Sequence, residues 1–351
     1  MNNQNLTIIL VMTIAYIVIT AGIGIWTKKF AGSTSKFMQG GRDMGTLVIA
    51  VLLMSEFIGT GSTMGTAETA FNKGISASWN LISMFFAFVF FAYFMAAKYQ
   101  RTGEYTISGV IAKKYGDKTR LITSLIMIYA LTVVNISMYV GGAATLATIF
   151  KIPTTAAVFV IAIVTMIYVS IGGIKGVAYT NLVHATVKYA GLIITTVVAL
   201  RMSGGLGNLQ AAMKPMYFSW DGVGVSTIMA WTIANIGAIF STQYVIQAIA
   251  SISNEKKAKR ASLLAGGLVI PIGLMAAFIG VAAKYLFPTI KGNMAIPQFA
   301  SVMNPWLGAI VIAGLVAAVF GTVSAGTLGS TALVIKDIYF NHKVKTTDFS
   351  P

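Results

Sequence analysis

Long apolar stretches recur along almost the whole chain and give the first prediction. A helix of about 20 apolar residues is long enough to cross the hydrocarbon core of a bilayer. Transmembrane β-strands would instead appear as short segments of alternating polarity. The pattern therefore predicts an all-α polytopic membrane protein with nine spans, which are Leu6–Trp26, Gly45–Phe71, Trp79–Ala97, Leu121–Phe150, Pro153–Ile171, Thr180–Ala199, Val225–Ile249, Ala261–Ala283 and Trp306–Ile335.

The composition agrees with a lipid environment. Of the 351 residues, 56% are hydrophobic and 10% are charged, and the mean hydropathy is +0.80. Soluble domains contain about 25% charged residues, so water is not the main solvent of this chain. The absence of cysteine excludes disulfides and thiolate metal sites. Leu6–Trp26 follows an uncharged N-terminus and is too long for a signal peptide, so we expect a retained helix.

The net charge of +16 is a topology signal. If the N-terminus is outside and each stretch crosses once, most of the 25 Lys and Arg residues fall in inner loops. Such a bias orients membrane proteins with the basic loops in the cytoplasm. We therefore predict a multi-pass protein of the cell membrane and no nucleic-acid partner. The basic inner loop Lys256–Arg260 is suited to contact anionic membrane lipid.

Glycines and small polar residues interrupt the second stretch. Gly59, Gly61 and Gly65 lie near its middle and weaken helical hydrogen bonding there. A broken helix at membrane depth is tolerated where it lines a cavity, and there it offers carbonyls and helix ends to ions and substrate. Close packing through small residues is the alternative. The neighbouring acid Glu56 favours the functional interpretation.

A second, weaker interruption lies five spans later. The stretch Trp231–Gly237 carries a polar Asn235 near the middle of the seventh span. The second and seventh spans are equivalent positions in a five-plus-five inverted repeat that follows one extra helix. Only three spans of the second repeat are present, so we expect the last core helices to be absent and the sequence to be truncated or incompletely covered. We treat residues 1–351 as one transmembrane domain with a cytoplasmic tail from residue 336 to residue 351.

Several motifs, taken in order, resemble the sodium:solute symporter family. Besides the interrupted second span, they are Gly74–Trp79, Gly172–Asn181, Gln243–Gln247, Ala317–Ser324, Ser330-Thr331 and Lys336-Asp337. The resemblance implies a LeuT-like inverted-repeat fold with an added first helix. It also implies a secondary transporter that moves a small solute by alternating access.

The resemblance also implies a cation site between the first and eighth core helices. The family's sodium-binding carbonyls match Ser55, Ile58 and Ala318, and its two hydroxyls match Gly321 and Thr322, while Ser324 and Asn181 belong to the same motifs. Carbonyl and hydroxyl oxygens suit a hard cation such as sodium. Gly321 has no hydroxyl, and Asn181 replaces an acidic residue of the family. The predicted sodium ligands that remain are Ser55, Ile58, Ala318 and Thr322.

Lys188 lies seven residues beyond Asn181, two turns along the same helical face and about 10.5 Å further into the membrane. Ionisable residues at such a depth are costly and usually functional. In some transporters of the wider fold a lysine on this helix takes the place of sodium. We hypothesise that Lys188 does so here, with Glu56 as its counter-charge or as a proton carrier, which predicts proton-coupled or uncoupled transport. The alternatives are a lysine that extends to the membrane surface and an ordinary sodium-coupled symporter.

Polar residues near the two interruptions are the candidate substrate contacts. They are Ser62, Thr63, Asn80, Ser83, Asn235 and Gln243. Polar side chains in membrane helices also join neighbouring helices, at about 0.6 kcal/mol each, which is the alternative for each of them. The proline-transporting branch of the family carries acids where Phe57 and Ala77 stand, which disfavours proline. A carboxylate or an amino acid would fit a compact polar site.

Other functional classes have less support. A transporter-like sensor domain is the rival, and a signalling module beyond Pro351 would favour it. An enzyme is disfavoured because no nucleophile, metal cluster or cofactor motif surrounds Glu56 and Glu68, and the two histidines are isolated. We therefore expect no cofactor beyond Na⁺ or H⁺ as coupling ion.

Overall fold

A computed structural model describes residues 3–343, and every regular element in that range is helical. These segments are rich in apolar residues and contain few polar ones. Lipid offers no hydrogen-bond partners to the backbone, so the segments satisfy their backbone groups internally as helices. The α-helices are α1 Asn3–Trp26, α2 Thr34–Gln39, α3 Thr46–Phe57, α4 Thr60–Lys73, α5 Trp79–Phe94, α6 Ala96–Thr102, α7 Ile107–Tyr115, α8 Asp117–Phe150, α9 Thr154–Met202, α10 Leu206–Ala212, α11 Val225–Ser241, α12 Gln243–Ala250, α13 Glu255–Leu286, α14 Ala295–Val302 and α15 Pro305–Leu333.

Two spans are broken. Helices α3 and α4 meet at a bend of 59°, and helices α11 and α12 meet at a bend of 52°. Six other helices in the described range are long and apolar enough to cross a membrane. The first bend falls at the predicted interruption around Gly59. The second falls within the predicted seventh stretch but at Thr242, whereas the predicted interruption Trp231–Gly237 lies inside the continuous helix α11.

Helix α9 holds two of the predicted stretches in one kinked element. At Gly173 the backbone adopts φ +54° and ψ −150°, which L-residues rarely reach. A Cβ at this position would also lie 2.5 Å from the backbone oxygen of Phe37. Glycine is therefore required where α9 turns against the end of α2.

Helix α15 forms the centre of the bundle. It packs against α9, α8 and α1, and 89% of its most apolar segment is buried. Helix α13 forms a second centre and contacts α5, α4 and α3. Helix α8, by contrast, has only 11% of its apolar segment buried and exposes Ile122, Ile126 and Val133. A helix with such an apolar outer face is suited to contact lipid.

Polar contacts tie the helices together at the end of the bundle that carries most of the basic residues, which we call the basic end. Lys336 forms an ion pair with Glu104, and Lys175 pairs with Asp43 at 2.8 Å. The Arg42 guanidinium donates to the backbone oxygen of Gly103 at 2.6 Å. These contacts join the segment before the broken span to α9 and to the loop after α6, and they join that loop to the helical segment that follows α15.

The chain does not leave the bundle where the sequence predicts a polar tail. Val334–Lys343 continues α15 as a π-helix, and Asp337 is fully buried. The carboxylate of Asp337 accepts hydrogen bonds from Ser108 and from Thr106. The first eight residues of the predicted tail are therefore part of the packed structure, and residues 344–351 lie outside the described range.

Candidate solute and cation site

The break between α3 and α4 is docked directly onto α15. Ile58 (φ −99°, ψ 67°) and Gly59 (φ −89°, ψ −174°) leave the helical conformation. A Cβ on Gly59 would lie 2.9 Å from the Cγ2 atom of Thr322 on α15, closer than real Cβ contacts. The absence of a Cβ at Gly59 thus allows the non-helical backbone between α3 and α4 to contact α15. The family resemblance places the cation site between these two elements.

Two hydroxyl groups of α4 donate hydrogen bonds to backbone carbonyls at the break. Ser62 donates to the backbone oxygen of Phe57 at 2.8 Å, and Thr63 donates to that of Gly59 at 2.9 Å. Ser62 and Thr63 line different cavities, since Ser62 lies beside Glu56 and Thr63 lies beside Lys188. Of the two, only Ser62 lines the larger space.

Lys188 reaches the break from α9. Its side chain is 2% exposed, and its Nζ atom donates to the backbone oxygen of Ile58 at 2.5 Å. That carbonyl is one of the predicted sodium ligands. Lys188 and Thr63 line a narrow gap together with Ala318, another predicted ligand. The ammonium group therefore contacts one carbonyl that the family resemblance assigns to the ion and lies beside another residue of that set.

On α15, the side chains of the predicted cation site form hydrogen bonds within their own helix. The Thr322 hydroxyl donates to the backbone oxygens of Ala318 and Val319, both at 3.1 Å, and the Ser324 hydroxyl donates to that of Gly321 at 3.1 Å. The Ser55 hydroxyl is buried without a hydrogen-bond partner in the described structure.

Asn181 faces the position of the missing hydroxyl. A Cβ on Gly321 would lie 2.9 Å from the Oδ1 atom of Asn181. This amide oxygen is buried and accepts no hydrogen bond from a described residue, while the Nδ2 atom donates to the backbone oxygen of Val177 at 2.9 Å. A serine at position 321 would therefore require the Asn181 side chain to shift.

Glu56 faces a cavity on the other side of the break. The side chain is 6% exposed, and its Oε2 atom has no hydrogen-bond partner in the described part of the chain. The cavity has a volume of about 270 Å³, and its walls include Ser62 of α4, Ser137 of α8 and Thr322 of α15. Glu56 and Lys188 form no ion pair with each other in the described structure. The predicted counter-charge role therefore has no direct contact to support it.

A second cavity of about 290 Å³ adjoins the first. Both are bordered by Thr60, Gly61 and Gly141, and the second extends to Glu68 and Asn293. Glu68 lies near the C-terminal end of α4, away from the break. Together the two cavities form a path from the break toward the end of the bundle opposite the basic end.

The predicted contacts Asn80, Ser83 and Asn235 form a separate cluster. The Asn235 Nδ2 atom donates to the Ser83 hydroxyl at 2.8 Å and to the backbone oxygen of Asn80 at 3.2 Å. This cluster joins α11 to α5 and does not border the cavity at Glu56. In this conformation the three residues connect helices, and their substrate role stays a prediction.

Gln243 lies at the basic end. Its amide donates to the backbone oxygen of Tyr105 at 2.9 Å and accepts from the backbone nitrogen of Ile107 at 2.9 Å. Burial, with the nearby carboxylates of Asp337 and Glu104, raises the pKa of Tyr105. Gln243 thereby fixes the start of α12 to the loop before α7, and its predicted substrate contact is not formed here.

The structure also identifies residues near the site that no sequence motif singles out. Ser137, Met138 and Gly141 of α8 form one wall of the cavity at Glu56. They lie in a long apolar helix without a motif, so only the packing identifies them. Similarly, Tyr16 of α1 is hydrogen bonded to His184 Nδ1, and the His184 ring stacks on Phe320 with ring centres 6.5 Å apart.

The fold and the broken-helix site agree with the outcome of comparisons with known proteins. The profile of the Sodium:solute symporter family matches residues 37–348. The chain belongs to this family. It is therefore a membrane-embedded solute symporter and not an enzyme. The predicted family is confirmed.

Two relatives are similar over most of the chain. The High-affinity proline transporter PutP of Bacillus subtilis is 23% identical over 338 residues, which cover 90% of this chain and 71% of that protein. The Sodium/proline symporter of Staphylococcus aureus strain JH9 is 22% identical over 352 residues, covering 94% of this chain and 68% of that protein.

Two solved structures share the fold. The outward-open, substrate-bound state of a Na⁺-coupled sialic acid symporter gives a TM-score of 0.83 at 17% identity and covers 98% of this chain and 77% of its own. Mhp1, a nucleobase-cation-symport-1 family transporter, gives a TM-score of 0.64 at 16% identity and covers 87% of this chain and 69% of its own. The predicted all-α, LeuT-like fold is confirmed.

Proposed function

We propose that this protein moves a small polar solute by alternating access and that the Lys188 ammonium replaces the sodium ion of its family, so that transport does not require sodium. The observation that carries the proposal is the hydrogen bond from Lys188 Nζ to the Ile58 carbonyl at 2.5 Å. An ammonium donates to the same oxygens that would otherwise bind a hard cation.

Two further observations support a site that works without sodium. Gly321 cannot supply the hydroxyl that the family places there. A sodium ion beside the Ile58 carbonyl would also stand close to a fixed positive charge. Like charges at such separations repel by about 4 kcal/mol at the effective dielectric of a protein surface, and by more when buried.

The charge distribution supports an orientation of the protein in the membrane, and the cavities support a conformation in which the solute path faces the exterior. We place the basic end in the cytoplasm and the N-terminus outside, following the positive-inside rule. The path from Glu68 to Glu56 then faces the exterior, and the ion pair between Lys336 and Glu104 helps to close the cytoplasmic side. The solute would bind beside the break of α3 and α4, near the bilayer midplane.

Uptake into proteoliposomes tests the proposal. Amino acids and small carboxylates would be screened with an inward sodium gradient, with an inward proton gradient and with neither, using wild type, Lys188→Ala and the exposed-lysine control Lys118→Ala. We expect uptake that sodium leaves unchanged, that Lys188→Ala alters, and that Lys118→Ala does not. The proton gradient shows whether Lys188 also exchanges a proton during the cycle.

A sodium-coupled symporter is the second candidate, and family membership and the Na⁺-coupled sialic acid symporter favour it. In that case sodium would bind at Thr322 and the carbonyls of Ser55, Ile58 and Ala318 after Lys188 moves away. Sodium-dependent uptake that Lys188→Ala leaves unchanged would establish this candidate and exclude the lysine substitution.

A further inference from the structure

Glu56 is a buried acid whose charge no described residue balances. Its Oε2 atom lacks a hydrogen-bond partner, and no described ion pair includes Glu56. An isolated buried carboxylate is costly unless it is paired and hydrogen bonded. Because Glu56 borders the cavity of about 270 Å³, a ligand in that cavity can provide the missing partner.

The charge along the path has one sign. Glu56 is the one ionisable side chain among the described residues that border the inner cavity, and Glu68 is the one that borders the adjoining cavity. Lys188 lines a different, narrower gap and donates to the Ile58 carbonyl. A path whose ionisable groups are both acids favours positively charged solutes, because a cation in the cavity stabilises the ionised form of a neighbouring carboxyl.

The wall beside Glu56 suits a protonated nitrogen. Phe57 follows it in the chain, borders the same cavity and packs on Phe88 with ring centres 5.7 Å apart. An ammonium group can form a cation–π contact with an aromatic ring and a charge-assisted hydrogen bond with a carboxylate at the same time. Ser62 and Ser137 add hydroxyl groups for the neutral part of a small solute.

We infer that Glu56 binds the positively charged nitrogen of the transported solute, so that the substrate is an amine or an amino acid and not a simple carboxylate. The inference shares one assumption with the proposed function, namely that the transported solute binds in this cavity. It assigns to Glu56 a substrate contact in place of the counter-charge to Lys188.

Solute-induced thermal stabilisation of the purified full-length protein in detergent tests the inference. Putrescine, 4-aminobutyrate and succinate share a four-carbon backbone and differ in their amino groups. They would be tested with the twenty protein amino acids, a set of carboxylates and a set of sugars, each in potassium and in sodium chloride. We expect stabilisation by one or more solutes with an amino group and none by succinate, the other carboxylates or the sugars.

Variants at position 56 test the residue itself. Glu56→Gln keeps the shape and removes the charge, so we expect the apparent affinity for the stabilising solute to fall by about 10-fold or more. Glu56→Asp retains part of the affinity, and the exposed-acid control Asp117→Asn retains all of it. If Glu56→Gln does not yield folded protein, the preference of wild type for amino solutes and the Glu56→Asp affinity remain the deciding measurements.

Three results would overturn the inference: stabilisation by carboxylates or sugars alone, stabilisation by no solute in the panel, or an affinity that Glu56→Gln leaves unchanged. A sodium-dependent shift that Glu56→Gln abolishes would instead assign Glu56 to an ion. Binding in detergent does not require coupling. A carrier that proves sodium-dependent would therefore refute the lysine substitution without affecting this test.

Discussion

A single side chain, Lys188, contacts part of the predicted cation site. Its Nζ atom donates to the Ile58 carbonyl, and the hydroxyl expected at position 321 is absent. The two features are complementary, since a lysine that provides the charge removes the need for a full set of oxygen ligands. If this explanation is correct, the site can be converted by changing both residues together.

We predict that Lys188→Ala with Gly321→Ser gives a sodium-dependent carrier. The double variant removes the ammonium and restores the second hydroxyl, and a Cβ at position 321 would meet the Asn181 Oδ1 atom, an adjustable side-chain end. Uptake of the identified solute in sodium and in potassium medium measures the effect. Each single variant serves as a control, and sodium independence of the double variant would contradict the prediction.

Gly59 sets how closely the break can approach α15. In Gly59→Ala the new methyl group would lie 2.9 Å from the Thr322 Cγ2 atom. Overpacking of this kind costs about 1–3 kcal/mol. We expect a lower melting temperature in detergent and partial recovery in Gly59→Ala with Thr322→Ser, which removes that methyl group. A lack of recovery would show that the clash is not with Thr322.

At the scale of the helices, α9 links the cation site to the basic end. It carries Lys188 and Asn181, and it kinks at Gly173 against the end of α2. The kink fixes the direction of the second half of α9, and with it the position of the Lys188 side chain. The two predicted spans therefore follow each other directly and are joined at this kink without a loop.

Gly173→Ala is expected to destabilise the protein. The backbone conformation at Gly173 costs a residue with a Cβ about 1–3 kcal/mol, and the contact with the Phe37 carbonyl at 2.5 Å adds to it. Thermal unfolding in detergent measures the loss. Gly22→Ala in α1 is the matched control because nothing lies within 4 Å of its Cβ position, so it should be neutral or slightly stabilising.

At the scale of the whole molecule, polar contacts at the basic end separate the cavities at Glu56 and Glu68 from that end, where a further cavity of about 400 Å³ borders Tyr105 and Lys336. The loops around α7, the end of α15 and the start of α12 meet through Glu104, Lys336 and Gln243. The cavities at Glu56 and Glu68 lie on the other side of these contacts. Alternating access requires these contacts to separate when the path opens toward the basic end.

Weakening the Lys336–Glu104 pair should shift this balance. The chain has no cysteine, so Ser137→Cys in the cavity wall provides a unique thiol. We expect a membrane-impermeant maleimide to label it from outside, and Glu104→Gln to lower outside labelling and raise labelling from the cytoplasmic side. Lys118→Ala, which changes an exposed side chain that forms no described ion pair, should leave the labelling unchanged. Labelling of wild type mainly from the cytoplasmic side would refute the assigned orientation or conformation.

The sequence alone determined the environment, the fold family and the position of the first break. The length of an apolar segment determines whether it can cross a bilayer. Glycines clustered within one such segment indicate where its helix is interrupted. Both features follow from local composition. The position of Lys188 relative to Asn181 also follows from helical periodicity.

Tertiary structure decided which polar groups meet. Asn235, Asn80 and Ser83 satisfy one another between helices, whereas Ser137, in a helix without a motif, borders the cavity. Such choices depend on how helices far apart in the chain rotate and pack, and periodicity within one helix does not specify them. For the same reason only the structure showed that Lys188 reaches the Ile58 carbonyl while Glu56 faces the cavity on the other side of the break.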